Sequence, residues 1–260
     1  MPPRSDIHEI AAAGFQAASE TYERGRPDYP VEAVEFLINT LGIDPTTTAV
    51  ELGAGTGKFT RMLTSLSGAR VIAVEPVENM RRQLQSLQPA VTVLDGTAES
   101  IPLGDAVADV VLAAQAFHWF DGRRALAEIA RVLKPGGRIG LIWNARDESL
   151  DWVARMTDII DRHGTGVPQY KSMEWKRAFD GSSPFSELDV RHFRHAQTCD
   201  MQMLLDRVAS ISFIAALPSA DRQAVLDEVL QLVHTHPQTS GRPRITLPYR
   251  TDVYWSKKTG

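Results

Sequence analysis

Short, mostly apolar runs alternate along the first half of the chain with segments whose apolar residues recur every three or four positions. The runs Thr48–Leu52, Ala69–Glu75, Val91–Leu94, Asp109–Ala114 and Arg138–Trp143 are too short for helices and end in glycines or polar turns. Each is predicted to be a strand, and Asp109–Ala114 is apolar on both faces, as a buried parallel strand is. Helices are predicted over 31–41, 56–66, 78–88 and 122–133. Met80, Leu84 and Leu87 mark the inner face of the third, and Ala125, Ile129, Val132 and Leu133 that of the fourth. Pro30 suits the first turn of the first helix, Asp121 can cap the fourth, and Lys134-Pro135-Gly136-Gly137 stops it. Residues 7–20 have a helical pattern and end in the polar stretch Ser19–Pro30, where a glycine and two prolines preclude a long helix. Strands alternating with helices imply an α/β fold with a right-handed, parallel, doubly wound sheet.

The pattern changes in the second half. A helix is predicted over 150–162, followed by an irregular, Gly-, Ser-, Pro- and aromatic-rich stretch over 164–188. Val190–Thr198 alternates as a strand does. Leu204, Val208, Ile211 and Ala215 recur at helical spacing, and Ser219 can cap a helix over 220–234. Residues 244–256 alternate again, as a last strand. The expected organisation is a single domain over 1–260. Its core spans about 31–145, and a helical cap over about 150–188 and 199–243 is inserted among the late strands.

The chain has 260 residues, enough for one α/β domain carrying such an insertion. A formal net charge of −4 argues against a general nucleic-acid surface. The single cysteine, Cys199, precludes an intrachain disulfide and suits a reducing compartment. No apolar run reaches the roughly 18 residues of a membrane span, and the start lacks a signal core, so a cytoplasmic protein is expected. The pairs His192/His195 and His234/His236 lack further ligands in sequence, and no metal is predicted.

The chemistry gathers at strand ends. Glu51-Leu52-Gly53-Ala54-Gly55-Thr56-Gly57 closes the first strand. Glycines there let the backbone turn sharply and approach a ligand, and the helix that follows offers free N–H groups to an anion. The spacing is G-x-G-x-G, whereas a dinucleotide fold more often shows G-x-G-x-x-G to seat a pyrophosphate. The loop therefore favours S-adenosylmethionine, whose carboxylate is the anion, over another nucleotide or a plain turn. Glu51 can offset the ligand's ammonium. Glu75 ends the second strand 22 residues after Gly53, where a carboxylate can accept both ribose hydroxyls. Pro76 and Met80 can flank adenine, although Met80 suits core packing nearly as well. Backbone groups of Gly96, Thr97 and Ala98 and the Glu99 carboxylate, in the loop after the third strand, can read the adenine edge. Gln115, Ala116, Phe117, His118, Trp119 and Phe120 follow the fourth strand. His118 is a candidate general base, a positioning group or a structural hydrogen-bonding residue. The three aromatics can cover a sulfonium or simply fill the core.

Taken together, Glu-Leu-Gly-Ala-Gly-Thr-Gly, Val-Glu-Pro, Gly-Thr-Ala-Glu-Ser-Ile-Pro-Leu, Ala-Phe-His-Trp-Phe and Arg-Val-Leu-Lys-Pro-Gly-Gly resemble class I S-adenosylmethionine-dependent methyltransferases of the type 11 group. Tyr22–Pro30 and Leu247–Tyr254 resemble the branch that contains trans-aconitate methyltransferase-like proteins. The resemblance implies a Rossmann-like, seven-stranded sheet with an antiparallel last strand and donor contacts at the positions above. It also implies an N-terminal lid over about 1–30, with Tyr22, Arg26 and Tyr29 against the methionine portion. The expected activity is methylation of a small molecule, at a carboxylate or hydroxyl oxygen. A non-catalytic donor-binding module, or methylation of an amine with His118 as base, is the alternative. A carboxylate acceptor would need cations, for which Arg24, Arg26, Arg146 and Arg250 are candidates. Whether the protein is a monomer or a homodimer stays open.

Overall fold

The computed structural model describes residues 25–181 and 184–259. The helix expected over 7–20, Tyr22 and Arg24 lie outside them. The elements in chain order are α1 (Val31–Leu41), β1 (Thr48–Leu52), α2 (Lys58–Ser67), β2 (Arg70–Val74), α3 (Glu78–Leu87), β3 (Thr92–Leu94), β4 (Ala108–Ala114), α4 (Gly122–Val132) and β5 (Leu133–Arg146), followed by α5 (Asp151–Asp161), β6 (Asp189–Cys199), α6 (Met201–Ala209), α7 (Ser212–Ala215), α8 (Ser219–Thr235) and β7 (Ile245–Lys257). The strands form one seven-stranded sheet in the order β3-β2-β1-β4-β5-β7-β6. The first five pair in parallel and the last strands are antiparallel. The strand order reverses between β1 and β4, the kind of switch point at whose carboxyl ends α/β sheets open a crevice.

The described residues divide into two compact units. One holds residues 28–144, 168–181, 184–193 and 251–259. Its core follows from the two-residue period of a strand. Val111 and Ala113 of β4, with Ile139, Leu141 and Trp143 of β5, meet Ala125, Leu126, Ile129 and Val132 of α4 on one face. Val110, Leu112 and Ile142 meet Leu37, Ile38 and Leu41 of α1 and Phe59 and Leu63 of α2 on the other. Each such side chain, fully buried, stabilises the fold by roughly 1.5–3 kcal/mol. Between β4 and β5 the register shifts, Ala108 facing Leu133 and Val110 facing Arg138, so the Lys134–Gly137 loop is absorbed as a bulge.

The other unit holds residues 25–27, 145–167 and 194–250. Trp152, Met156 and Ile160 of α5, Leu204 and Val208 of α6, and Val225, Val229 and Val233 of α8 pack around Leu247 and Tyr249 of β7. Cys199 is buried here and burial pushes its thiol up to about 11, in keeping with a packing role.

Several boundaries differ from the sequence expectation for local reasons. Helix α2 starts at Lys58 instead of Thr56, because Gly57 sits at its cap with φ 85°. Asp121 occupies the cap position of α4 but its side chain makes no capping bond. Its N–H donates instead to Glu99 Oε1 at 2.7 Å. Ser219 is the first residue of α8, and Pro218 takes the cap position. The single helix implied by Leu204–Ala215 is broken at Ser210 and Ile211 into α6 and α7. The irregular stretch 164–188 contains two 3₁₀ turns, Tyr170–Ser172 and Glu174–Phe179. Although grouped with the cap by sequence, Tyr170, Trp175 and Phe179 pack in the sheet unit, where their rings meet Trp143 and Phe117.

Candidate active site

The glycine loop is fixed by its surroundings. The N–H groups of Gly53 and Ala54 donate to the Val74 carbonyl at 2.8 and 3.3 Å, stapling the end of β1 to that of β2. Gly53 has φ 65°, and a Cβ there would stand 2.8 Å from the Ala116 Cβ, so the loop after β1 touches the segment after β4. A Cβ on Gly57 would stand 2.5 Å from Gln88 Nε2, the donor to the Gly57 carbonyl. Beside Gly55, by contrast, a Cβ would meet nothing nearer than Met80 Sδ at 3.8 Å. The backbone is thus packed tightly at two glycines and open at the one between them.

Two buried carboxylates sit beneath this loop. Glu75 is 4% exposed; its Oε2 accepts from Gly55 N–H and its Oε1 from Val77 N–H, both at 2.8 Å. Burial raises its carboxyl above the ordinary range, against the pull of those two N–H groups and of Arg81. Arg81 donates to the Glu75 and Pro76 carbonyls at 2.8 and 2.6 Å and pairs with Asp95 at 3.0 Å. Glu51 is 1% exposed and accepts from Thr60 Oγ1 at 2.6 Å. Burial first, and the charge of Glu75 second, push its carboxyl up to about 8. Parallel pairing aligns Glu51 with Ala73 on the neighbouring strand, which is why the two acids fall close together. Burial makes both acids hold their protons more tightly, and a nearby cation would favour their charged forms. A ligand carrying an ammonium and a sulfonium supplies what is missing, and the open backbone at Gly55 gives it room. These residues therefore fit S-adenosylmethionine.

Around this centre, Met80 and Ala98 are buried, Thr56 is 1% exposed, and Pro76 is exposed. Gly96 is tightly packed, a Cβ standing 2.5 Å from Pro102 Cδ. Thr97 bridges to Ser100, and Glu99 is held by the Asp121 N–H. Tyr29 is buried with its ring edge-on to Phe59 at 5.5 Å. Arg26, in the other unit, donates to the Ser210 carbonyl at 3.1 Å. Tyr22 lies outside the described residues.

Gln115 opens the segment after β4 with φ 56°, a conformation that costs a non-glycine residue energy and that clusters at functional sites. Its N–H donates to the Ile142 carbonyl at 2.9 Å and its side-chain amide to the Asn144 carbonyl at 3.0 Å, which hold it there. Ala116 is buried. A 3₁₀ turn over Phe117–Trp119 then separates the aromatics. Phe117 is fully buried against Phe120, Phe179 and Trp175, whereas Trp119 and Phe120 are partly exposed. Phe117 is thus core, one of the two readings its sequence allowed. His118 Nδ1 accepts the Trp143 indole N–H at 3.2 Å.

The sequence reading missed Thr60, Arg81 and Trp143. Thr60 and Arg81 look like ordinary polar helix positions, and Trp143 like core; only the fold places them against Glu51, Glu75 and His118. Among the described residues no three His, Cys, Asp or Glu side chains stand together as a metal site. The histidine pairs are occupied separately: His192 by Asp252, His236 by Asp151, and His195 stacked on Tyr249.

Comparison with known proteins agrees with this geometry. Residues 50–141 match the methyltransferase domain family model. An uncharacterized methyltransferase of Mycobacterium bovis is 41% identical over 91% of this chain and 92% of its own. A malonyl-[acyl-carrier protein] O-methyltransferase of Methylococcus capsulatus is 37% identical over 53% of this chain and 55% of its own. A solved structure from Anaeromyxobacter dehalogenans, provisionally named a type II methyltransferase, superposes with a TM-score of 0.63 at 25% identity, over 90% of this chain and 97% of that one. A relative this similar along nearly its whole length, joined to a donor loop of this build, places the chain in the class I S-adenosylmethionine-dependent methyltransferases, with S-adenosylmethionine as its methyl donor.

Proposed function

We propose that the enzyme methylates an oxygen of a small molecule, and that this oxygen belongs to a carboxylate. What carries this reading is the hydrogen bond to His118. Neutral imidazole has one acceptor nitrogen, and Nδ1 is that acceptor here, taking the Trp143 N–H. The proton then resides on Nε2, so His118 offers a donor and no lone pair for removing a proton. A phenol or an ammonium must lose a proton to become nucleophilic, whereas a carboxylate is already nucleophilic. The best-placed histidine therefore suits an acceptor that needs no base.

Bound S-adenosylmethionine supplies a methyl group activated by its sulfonium. The chain's contribution is alignment: the loop 53–57 would hold the methionine portion, Glu75 would take the ribose hydroxyls, and Thr97, Ala98 and Glu99 would flank the adenine. In-line displacement then draws its rate from proximity and orientation, with no covalent intermediate on the protein. The O-methyltransferase among the relatives, and the resemblance to the trans-aconitate branch, support a carboxyl acceptor for this chain as well.

The test is release of S-adenosylhomocysteine over a panel of small carboxylic acids, phenols and amines, for the native enzyme and His118→Gln. Turnover confined to acids, with kcat falling less than about 10-fold in the variant, is expected. Turnover on phenols or amines with a loss of about 100-fold or more would make His118 a base and overturn the reading.

A further inference from the structure

Two arginines outside the donor site lack the partners that buried cations require. Arg146 is the last residue of β5 and Arg207 lies in the last turn of α6; both belong to the unit built around α5, α6 and α8. Arg207 is 6% exposed, and the Arg146 side chain 15%. Arg207 Nε donates to the Tyr249 hydroxyl at 3.3 Å, while its Nη1 is buried with no hydrogen-bond partner. No ion pair among the described residues neutralises Arg207. Arg146 Nε donates to Thr157 Oγ1 at 2.9 Å, and its ion pair with Asp161 is long, at 3.9 Å. Burial first, and the neighbouring charge of Arg207 second, pull the Arg146 guanidinium down to about 10.

Buried charges are found paired or fully hydrogen-bonded, because desolvation otherwise outweighs every gain. Here two like charges share one interior, and one of them keeps an unused buried donor. An oxyanion is the missing component: a guanidinium fork matches a carboxylate in two parallel bonds, and its negative charge relieves the repulsion between the two cations. The buried cluster of the same unit includes Trp152, Met156, Val208 and Tyr249, apolar surface that suits an organic skeleton better than an inorganic ion. We infer that Arg146 and Arg207 bind the carboxylate of a small organic acid. The anion site stands independently of the carboxyl-transfer reading above.

The test is the thermal midpoint of the full chain without methyl donor, in a non-coordinating buffer, titrated with succinate, citrate, succinamide or inorganic phosphate. Native protein is expected to gain about 5 °C at roughly 100 times the dissociation constant of the acid. Succinamide is expected to have no effect. Arg207→Met keeps the volume and removes one repelling charge, so without acid it should melt at or above the native midpoint, and added acid should not move it. Arg207→Lys keeps the charge but loses the fork, and its affinity should fall about 10-fold or more. The inference is overturned if native protein shows no acid-dependent shift, or if Arg207→Met shifts as native does. It is overturned too if Arg207→Met and Arg207→Lys both melt well below native in every buffer, which marks a purely structural pair. Phosphate binding as tightly as the acids overturns the carboxylate assignment. S-adenosylhomocysteine binding, measured on the same samples, reports the donor site independently, so failure here is separable from failure of the transfer reading.

Discussion

Glu51→Gln isolates the electrostatic cost of the donor site. Burial holds the Glu51 carboxyl at about 8, against 4.5 in the unfolded chain. Between those values the native state keeps a proton that the unfolded state has released. Stability must therefore fall as pH rises through this window, by at most about 1.4 kcal/mol per pH unit. From pH 5 to pH 8 the ceiling is about 4 kcal/mol. Glutamine keeps the shape and can still accept the Thr60 hydroxyl, but it does not titrate. Urea unfolding of both proteins at pH 5, 6, 7 and 8 should show the native protein losing stability relative to the variant, most steeply between pH 6 and pH 7. Glu75 is present in both, so its own desolvation cancels in the difference and only its coupling to Glu51 remains. If the ligand's ammonium settles Glu51 in its charged form, S-adenosylhomocysteine binding at pH 7 should release about 0.9 proton from native protein and none from Glu51 in the variant. Calorimetry in buffers of unequal ionisation enthalpy measures this directly. Parallel stability profiles for the two proteins would refute the reasoning, because they would mean that Glu51 is charged in the free fold at neutral pH.

Two further outcomes follow from packing. Gly53→Ala places a methyl group 2.8 Å from the Ala116 Cβ on a backbone with φ 65°. The dissociation constant for S-adenosylhomocysteine should rise about 10-fold or more, and titration calorimetry giving an unchanged value would contradict the loop geometry. Ile129→Ala hollows the fully buried contact between α4 and the sheet and should cost about 2–5 kcal/mol in urea unfolding. A loss below 1 kcal/mol would show that this face is not close-packed.

The sequence by itself determined what depends on near neighbours. Alternating apolar runs and helical spacing placed the five parallel strands and the helices between them, because burial of one face is written into residues a turn or less apart. The glycine triplet and an acid at the end of the second strand marked the donor loop for the same reason. Cap chemistry was less legible: Asp121 and Ser219 are good capping residues, but an N–H claimed by Glu99 and a helix extended by one residue decided otherwise. Residues 164–188 lack periodicity, so nothing local reveals that Tyr170 and Trp175 stack on Trp143 in the sheet unit. Tertiary structure alone set the chemistry of the site. Strand register brings Glu51 to Glu75, β4 and β5 together bring His118 to Trp143, and the packing of α6 against β7 sets Arg207 on Tyr249. These pairs join residues far apart in the chain. Charge, proton affinity and hydrogen-bond role depend on distance and desolvation in space, quantities that the order of residues does not contain until the sheet has closed.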